Sequence, residues 1–267
     1  MDTFEYIRTL ARFREAIPEN IRPSWIQITT ITMFSKNLLT GINIERVQKA
    51  FNKLEMIPVR PKGSKYCFEW RMRPNSFYNQ VTIGYTDCYS TKSVKLFKNG
   101  SVQVAGCSNI LDCKRVIAQL RIVLELILDK ELAITFDKFK VVMINTNFSL
   151  NARVSLMDVI SKLSATKTSD LKFIVSFNPD RYSAVKVKFQ PAPGTKQVTA
   201  SIFSTGKIIV TGAETLREIA LAYEVLNQKL YSTKLEATPQ DAFDVIKGVK
   251  FEKLVQHLKH EGVERFS

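Results

Sequence analysis

The chain has 267 residues, 45% of them apolar, enough to bury a core and too apolar for a disordered polymer. Its net charge of +14 is confined to the middle: residues 1–23 carry four basic and four acidic side chains and residues 232–267 six of each, so the excess falls on 24–130 (+9) and 131–231 (+5). A basic body with neutral flanks points to a polyanionic partner. The sequence argues against a membrane protein, because its longest apolar run, Ile122–Leu128, is interrupted by Glu125 and is far too short to span a bilayer.

In chain order, residues 2–16 pattern as a short amphipathic helix ended by Pro18 and Pro23. Trp25–Phe34 favours a strand, and Ile44–Leu54 a helix with Asn43 as its N-cap. A Pro/Gly loop follows, then strands over Tyr66–Arg73, Phe77–Tyr85 and Ser93–Phe97. A hairpin turns at Asn99-Gly100, and a helix runs from about Asn109 to Leu128. The same order then returns. Lys140–Phe148 reads as a strand and Ser155–Leu163 as a short helix. Phe173–Phe177, Tyr182–Phe189, Val198–Phe203 and Lys207–Thr211 read as strands, and Thr215–Leu230 as a helix. Beyond residue 232, Gln240–Lys247 and Phe251–Leu258 pattern as two short amphipathic helices.

The repetition extends to single residues. Phe97, Gly100 and Gly106 return as Phe203, Gly206 and Gly212 at an offset of 106. Apolar residues then fall 7, 11, 14 and 18 positions after the second Gly in both copies: Cys113, Ile117, Leu120, Leu124 and Ile219, Tyr223, Leu226, Leu230. That spacing keeps one helical face apolar. The chain therefore reads as a duplicated α+β unit: an extension (1–23), repeat 1 (24–130), repeat 2 (131–231) and a helical tail (232–267).

Signals for catalysis are sparse. There is no nucleotide-binding Gly-rich loop, no Gly-x-Ser-x-Gly and no acidic cluster of the nuclease type. Both histidines, His257 and His260, lie in the tail without a set of ligands to complete a metal site. The cysteines (Cys67, Cys88, Cys107, Cys113) form no Cys-x-x-Cys pair. We expect no enzyme activity, cofactor, metal or small-molecule substrate. No signal-peptide pattern opens the sequence, so a reduced intracellular compartment is expected.

The string Ser201-Ile-Phe-Ser-Thr-Gly-Lys-Ile-Ile-Val-Thr-Gly-Ala213, with Glu218-Ile219 and Ala222-Tyr223 behind it, resembles the second repeat of the TATA-box-binding protein (TBP) family. Leu96–Gly106 resembles a diverged first-repeat version. The divergence and the added ends are most similar to the TBP-like factors of large nucleocytoplasmic DNA viruses, which would place the protein in a host nucleus or a cytoplasmic viral factory, or in the virion. The resemblance implies an α+β fold of two pseudo-symmetric repeats: a saddle with a curved antiparallel sheet whose concave face sits on the DNA minor groove and helices on the convex face.

The family's DNA-kinking aromatic wedges fall on Phe77, Phe97, Tyr182 and Phe203, with Phe177 competing with Tyr182 for the third place. Groove and phosphate contacts fall on Thr205, Lys207, Ile209 and Thr211 in the second hairpin, and on Asn99, Ser101, Gln103 and Ala105 in the first. The first hairpin replaces the family's Lys, Val and Thr by Ser, Gln and Ala, a departure that leaves open whether a true TATA sequence is preferred. Gln27, with Thr29 following, takes the place of one central Asn of the family; the other falls on Val142, or on Asn145 if the register slips. Asp180 and Arg181 lie where the family meets its transcription-factor-IIB-like (TFIIB-like) partner.

These residues lead to the expectation of a transcription initiation factor that binds AT-rich double-stranded promoter DNA through the minor groove and bends it. Its protein partners would be a TFIIB-like factor and RNA polymerase. A DNA sliding clamp, an enzyme built on the same fold and a scaffold with weak DNA binding are the alternatives; bending separates the first from the saddle, and cleavage of labelled duplex would reveal the second.

Overall fold

The computed structural model describes residues 3–54, 69–73, 79–87, 91–168 and 171–237. Phe77, Cys67, Cys88, both histidines and the expected tail helices lie outside the described residues. The elements are α1 (Thr3–Glu15), β1 (Gln27–Ser35), α2 (Ile44–Leu54), β2 (Glu69–Met72), β3 (Gln80–Thr86), β4 (Thr91–Phe97), β5 (Val102–Cys107) and α3 (Ile110–Leu128). They continue with β6 (Lys140–Ser149), β7 (Ala152–Val154), α4 (Leu156–Ala165), β8 (Lys167–Thr168), β9 (Leu171–Lys172), β10 (Ile174–Asn178), β11 (Tyr182–Phe189), β12 (Val198–Phe203), β13 (Lys207–Ala213), α5 (Leu216–Leu230) and β14 (Lys234–Ala237).

The chain divides into two compact units. One comprises Ile28–Ile144; the other comprises Asn145–Ser267 together with Met1–Gln27. We call them the first-repeat and second-repeat units. In the first, the antiparallel strands run in the order β1-β5-β4-β3-β2; in the second, β10-β11-β12-β13-β6. This is the α+β class that the sequence patterns imply.

Polar residues start the helices where the sequence places them. Asn43 accepts from Arg46 N at 3.1 Å and Asn109 from Asp112 N at 2.8 Å. Ser155 accepts from Asp158 N at 3.3 Å, and Thr215 closes a reciprocal capping box with Glu218. Each satisfies an amide that the first helical turn leaves without a partner.

Alternation within the strands sorts the side chains onto two faces. In the first-repeat unit Val81, Ile83, Val94, Leu96, Val102 and Val104 are buried, as are Val116, Ile117, Leu120 and Leu124 of α3. In the second-repeat unit Val185, Val187, Phe189, Val198, Ala200, Ile202, Ile208 and Val210 are buried with Ile219, Tyr223, Leu226 and Leu230 of α5. The intervening strand residues form the open face of each sheet.

Two glycines hold the hairpins at fixed places. Gly100 (φ +81°) and Gly206 (φ +82°) occupy the left-handed region. A loop presses on each. Leu39 N donates to Gly100 O at 2.8 Å, and Leu150 N to Gly206 O at 2.9 Å. A Cβ would fall 2.5 Å from Thr40 N at Gly100 and 2.0 Å from Ala152 O at Gly206. The repeated Gly thus serves two needs at once, turn geometry and close backbone approach.

The N-terminal segment packs with the second-repeat unit. Helix α1 lies against α5, burying Leu10 and Ala11. Arg14 Nε donates to Pro23 O at 2.8 Å and its guanidinium lies 5.0 Å from the Trp25 ring centre. Ser24 exchanges hydrogen bonds with Ser149 at 2.7 and 2.8 Å, and Tyr223 Oη donates to Ser24 O at 2.9 Å. The sequence gives no sign of β7, β8, β9 or β14; β14 pairs with β7, matching Lys234 to Val154 and Ala237 to Ala152.

Candidate nucleic-acid interface

In the second-repeat unit, strand register aligns the open-face residues into rows. Ile174, Lys188, Thr199 and Thr211 form one row; Ser176, Lys186, Ser201 and Ile209 form the next. Ala184 lies opposite Phe203 beyond them. Tyr182, 37% exposed, turns its ring onto Phe203 edge-to-face, with centroids 5.6 Å apart and planes at 69°. Lys186 Nζ sits 4.8 Å from the Tyr182 ring centre. The ring pair therefore stands on an open face carrying Lys186 and Lys188, both exposed, with exposed Lys207 at the start of β13.

Exposure and ring contact distinguish Tyr182 from its competitor. Phe177 is half-buried at the register shift between Ser176 and Asn178, whereas Tyr182 is exposed and is the ring that meets Phe203. Thr205 is exposed in the hairpin turn, and Ile209 and Thr211 are half-buried on β13. Thr211 Oγ1 donates to Thr199 O at 3.4 Å. Asp180 and Arg181 are exposed in the β10–β11 turn, where Arg181 N donates to Asn178 O at 3.2 Å. Gln27 is exposed at the start of β1, and Asn145 is half-buried on β6.

The open face of the first-repeat unit has a different chemistry. Its rows are Thr82, Lys95, Gln103 and Phe34, then Arg71, Gly84, Ser93, Ala105 and Thr32, with Arg71 exposed and Thr32 buried. Phe97 is half-buried and meets Phe34 edge-to-face at 6.3 Å and 65°. Thr29 is exposed on β1, and Asn99 is exposed in the turn, where its Oδ1 accepts from Ser101 N at 3.0 Å. Ser101 corrects the sequence reading. It is only 2% exposed, and its Oγ accepts from Asn37 N at 3.2 Å, because the 37–40 loop folds over the turn. That hydroxyl is committed inside the protein.

Sequence reasoning passed over Lys186, Lys188 and Phe34. The two lysines had a signal: Ala184-Val-Lys-Val-Lys-Phe189 alternates cleanly, so both lysines share a face. Phe34 had none, since its approach to Phe97 depends on pairing across β5.

Residues 138–233, from β6 through α5, match the family model described as transcription factor TFIID (or TATA-binding protein, TBP). A TATA-box-binding protein-like protein of Acanthamoeba polyphaga mimivirus is 28% identical over 61% of this chain and 51% of its own. The TATA-box-binding protein of Pyrococcus horikoshii is 29% identical over 32% of this chain and 43% of its own. The chain thus spans about half the length of the curated relatives it matches. The solved Methanococcus jannaschii TBP superposes with a TM-score of 0.52 at 13% identity, covering 79% of this chain and all of that one. The chain has the TBP fold, is similar to TATA-box-binding protein-like proteins, and matches the TBP family model over residues 138–233.

Proposed function

We propose that this chain is a non-enzymatic transcription initiation factor that binds double-stranded promoter DNA through the minor groove, bends it, and presents the complex to a TFIIB-like factor and RNA polymerase. The observation that carries this reading is the Tyr182–Phe203 ring pair, which stands on an open sheet face beside Lys186, Lys188 and Lys207. A minor-groove binder needs cations for phosphate, rings to unstack base steps, and a weakly polar floor where the base code is nearly degenerate. Ile209, Thr211, Thr199 and Ser201 supply such a floor. Phe97 and Phe77 would act as the first-repeat wedges, with Phe34 behind Phe97. Gln27, Thr29 and Asn145 would read the central base pairs. Asp180 and Arg181, exposed in their turn, would meet the TFIIB-like partner. Discrimination among sites would rest on how readily AT-rich steps deform.

The test is fluorescence-resonance bending of an AT-rich duplex selected from a random pool. The Tyr182→Ala/Phe203→Ala double variant should lose the bend and about 2 kcal/mol of affinity, the scale of unstacking a step. Phe177→Ala should keep the bend, because Tyr182 is the exposed ring that meets Phe203. Undiminished bending by the double variant would remove the wedge assignment.

A further inference from the structure

We infer that the outer face of α3 is a docking surface for an amphipathic helix of another protein, one whose flanks are acidic. Three of the most exposed large apolar side chains among the described residues stand on this one helix: Leu111 (64% exposed), Ile122 (50%) and Leu126 (79%). With Ala118 they fall at i, i+7, i+11 and i+15, a single stripe about 22 Å long at helical rise. The side chains that hold the helix to its sheet lie on the opposite face: Cys113, Val116, Ile117, Leu120 and Leu124, all buried.

The duplication provides an internal control. At the offset of 106, Leu111, Ala118, Ile122 and Leu126 correspond to Arg217, Glu224, Gln228 and Ser232 on and just after α5. The fold places polar groups at all four positions in one repeat, so it does not require apolar ones in the other. An apolar stripe confined to one copy calls for a partner of its own.

Charge selects the kind of partner. Lys114 and Arg121 border the stripe; Lys114 is exposed, and the Arg121 side chain is 45% exposed. Lys114 Nζ rests 5.2 Å from the Phe136 ring centre, and Arg121 meets Glu125 only at 3.9 Å, leaving both in place to receive carboxylates. Arg115, half-buried, is already engaged by Asp87 and Asp112. The mode is a helix laid along an apolar strip, with leucine-type anchors one and two turns apart and acids along one edge. The basic edge disfavours a second copy of α3 as occupant.

The experiment uses the full chain and a synthetic amphipathic peptide with leucines at helical spacing and glutamates on the flanks, followed by fluorescence anisotropy. The parent should bind the peptide, and Leu111→Arg/Ile122→Gln/Leu126→Ser, which installs the α5 residues, should weaken it about tenfold or more. A lysine-flanked peptide of the same pattern should bind equally poorly. Circular dichroism and DNA bending should be unchanged in the variant, which separates this surface from the proposed DNA face. Equal binding by parent and variant, or equal binding of the two peptides, would overturn the inference. So would a concentration-dependent dimer that the variant abolishes, which would assign the stripe to self-association.

Discussion

The two repeat units use the same plan and solve the same packing position in opposite ways. In the second-repeat unit Val198 is fully buried beneath α5, and Glu218 caps the helix, accepting from Glu214 N, Thr215 N and Lys196 N at 2.7, 3.2 and 2.8 Å. In the first-repeat unit the residue 106 positions earlier is Lys92, 1% exposed, with its Nζ 2.9 Å from Asp87 and 3.2 Å from Asp112. Arg115 closes the cluster at 2.6 Å from Asp87, where the other repeat has Leu221. A valine slot has thus become an ion-paired one without change of topology. The lesson is that the fold requires volume and satisfied polar groups at this place, and either chemistry meets that requirement.

The largest effect should come from undoing that exchange in one step. Lys92→Val installs the residue that the other repeat uses, yet it removes a buried cation that Asp87 and Asp112 both hold, so it should cost roughly 3 kcal/mol or more in urea unfolding. Adding Asp87→Asn should restore at least half of the loss. If the single variant unfolds like the parent, the buried cluster carries no stability.

The hairpin glycines give the next contrast. Gly206→Ala should cost about 3 kcal/mol, since both its positive φ and the Ala152 carbonyl pressed against it forbid a Cβ. Gly100→Ala should follow closely. Gly194 has φ +78°, but a Cβ there would meet no atom within 4 Å, so Gly194→Ala should cost only about 1 kcal/mol. Equal losses at all three sites would show that φ, and not the pressed loop, sets the cost.

The open faces differ as well. The second-repeat unit carries Lys186, Lys188 and Lys207; the described open face of the first carries Lys95 and, at its outer strand, exposed Arg71, with Arg73 beside Gly84. Lys186→Gln/Lys188→Gln should therefore lower the slope of log affinity against log salt by about 1.8, whereas Lys95→Gln should lower it by about 0.9. Reversal of that ranking would move the main phosphate contacts to the other repeat.

Much of this was legible in the sequence where local chemistry decides. Asn43, Asn109, Ser155 and Thr215 announce their helices, and Tyr182–Phe189 and Val198–Phe203 announce their strands, because caps and alternation are short-range signals. What escaped depends on distant pairing. Ser101 is taken out of reach by the loop at Asn37, and Phe34 meets Phe97 only through β5. Lys92 looks like a solvated strand lysine until Asp87 and Asp112 converge on it. Helix α1 was visible as a helix, but its seat against α5 was not.

The smallest expected effect is alkaline, and it again compares the repeats through one tyrosine in each. Burial, with the charge of Asp87 adding to it, pushes the Tyr85 hydroxyl up to about 12. Burial also raises Tyr223, with Arg14 opposing. An unfolded tyrosine ionises near 10. Below that pH both states hold the proton and the contribution is fully present; between about 10 and 12 the unfolded chain loses its proton while folded Tyr85 keeps it, so stability falls as pH rises through this window. Tyr85→Phe should cost stability at neutral pH, because the hydroxyl is hydrogen-bonded to Gln119, but should make the decline above pH 10 shallower. Tyr223→Phe should also make it shallower, with the hydrogen bond to Ser24 O lost. Urea melts at stepped pH would read both slopes. A Tyr85→Phe variant that declines as steeply as the parent would place the alkaline sensitivity elsewhere than in the Tyr85–Asp87 contact, and would leave the ion cluster of the first repeat independent of the tyrosine above it.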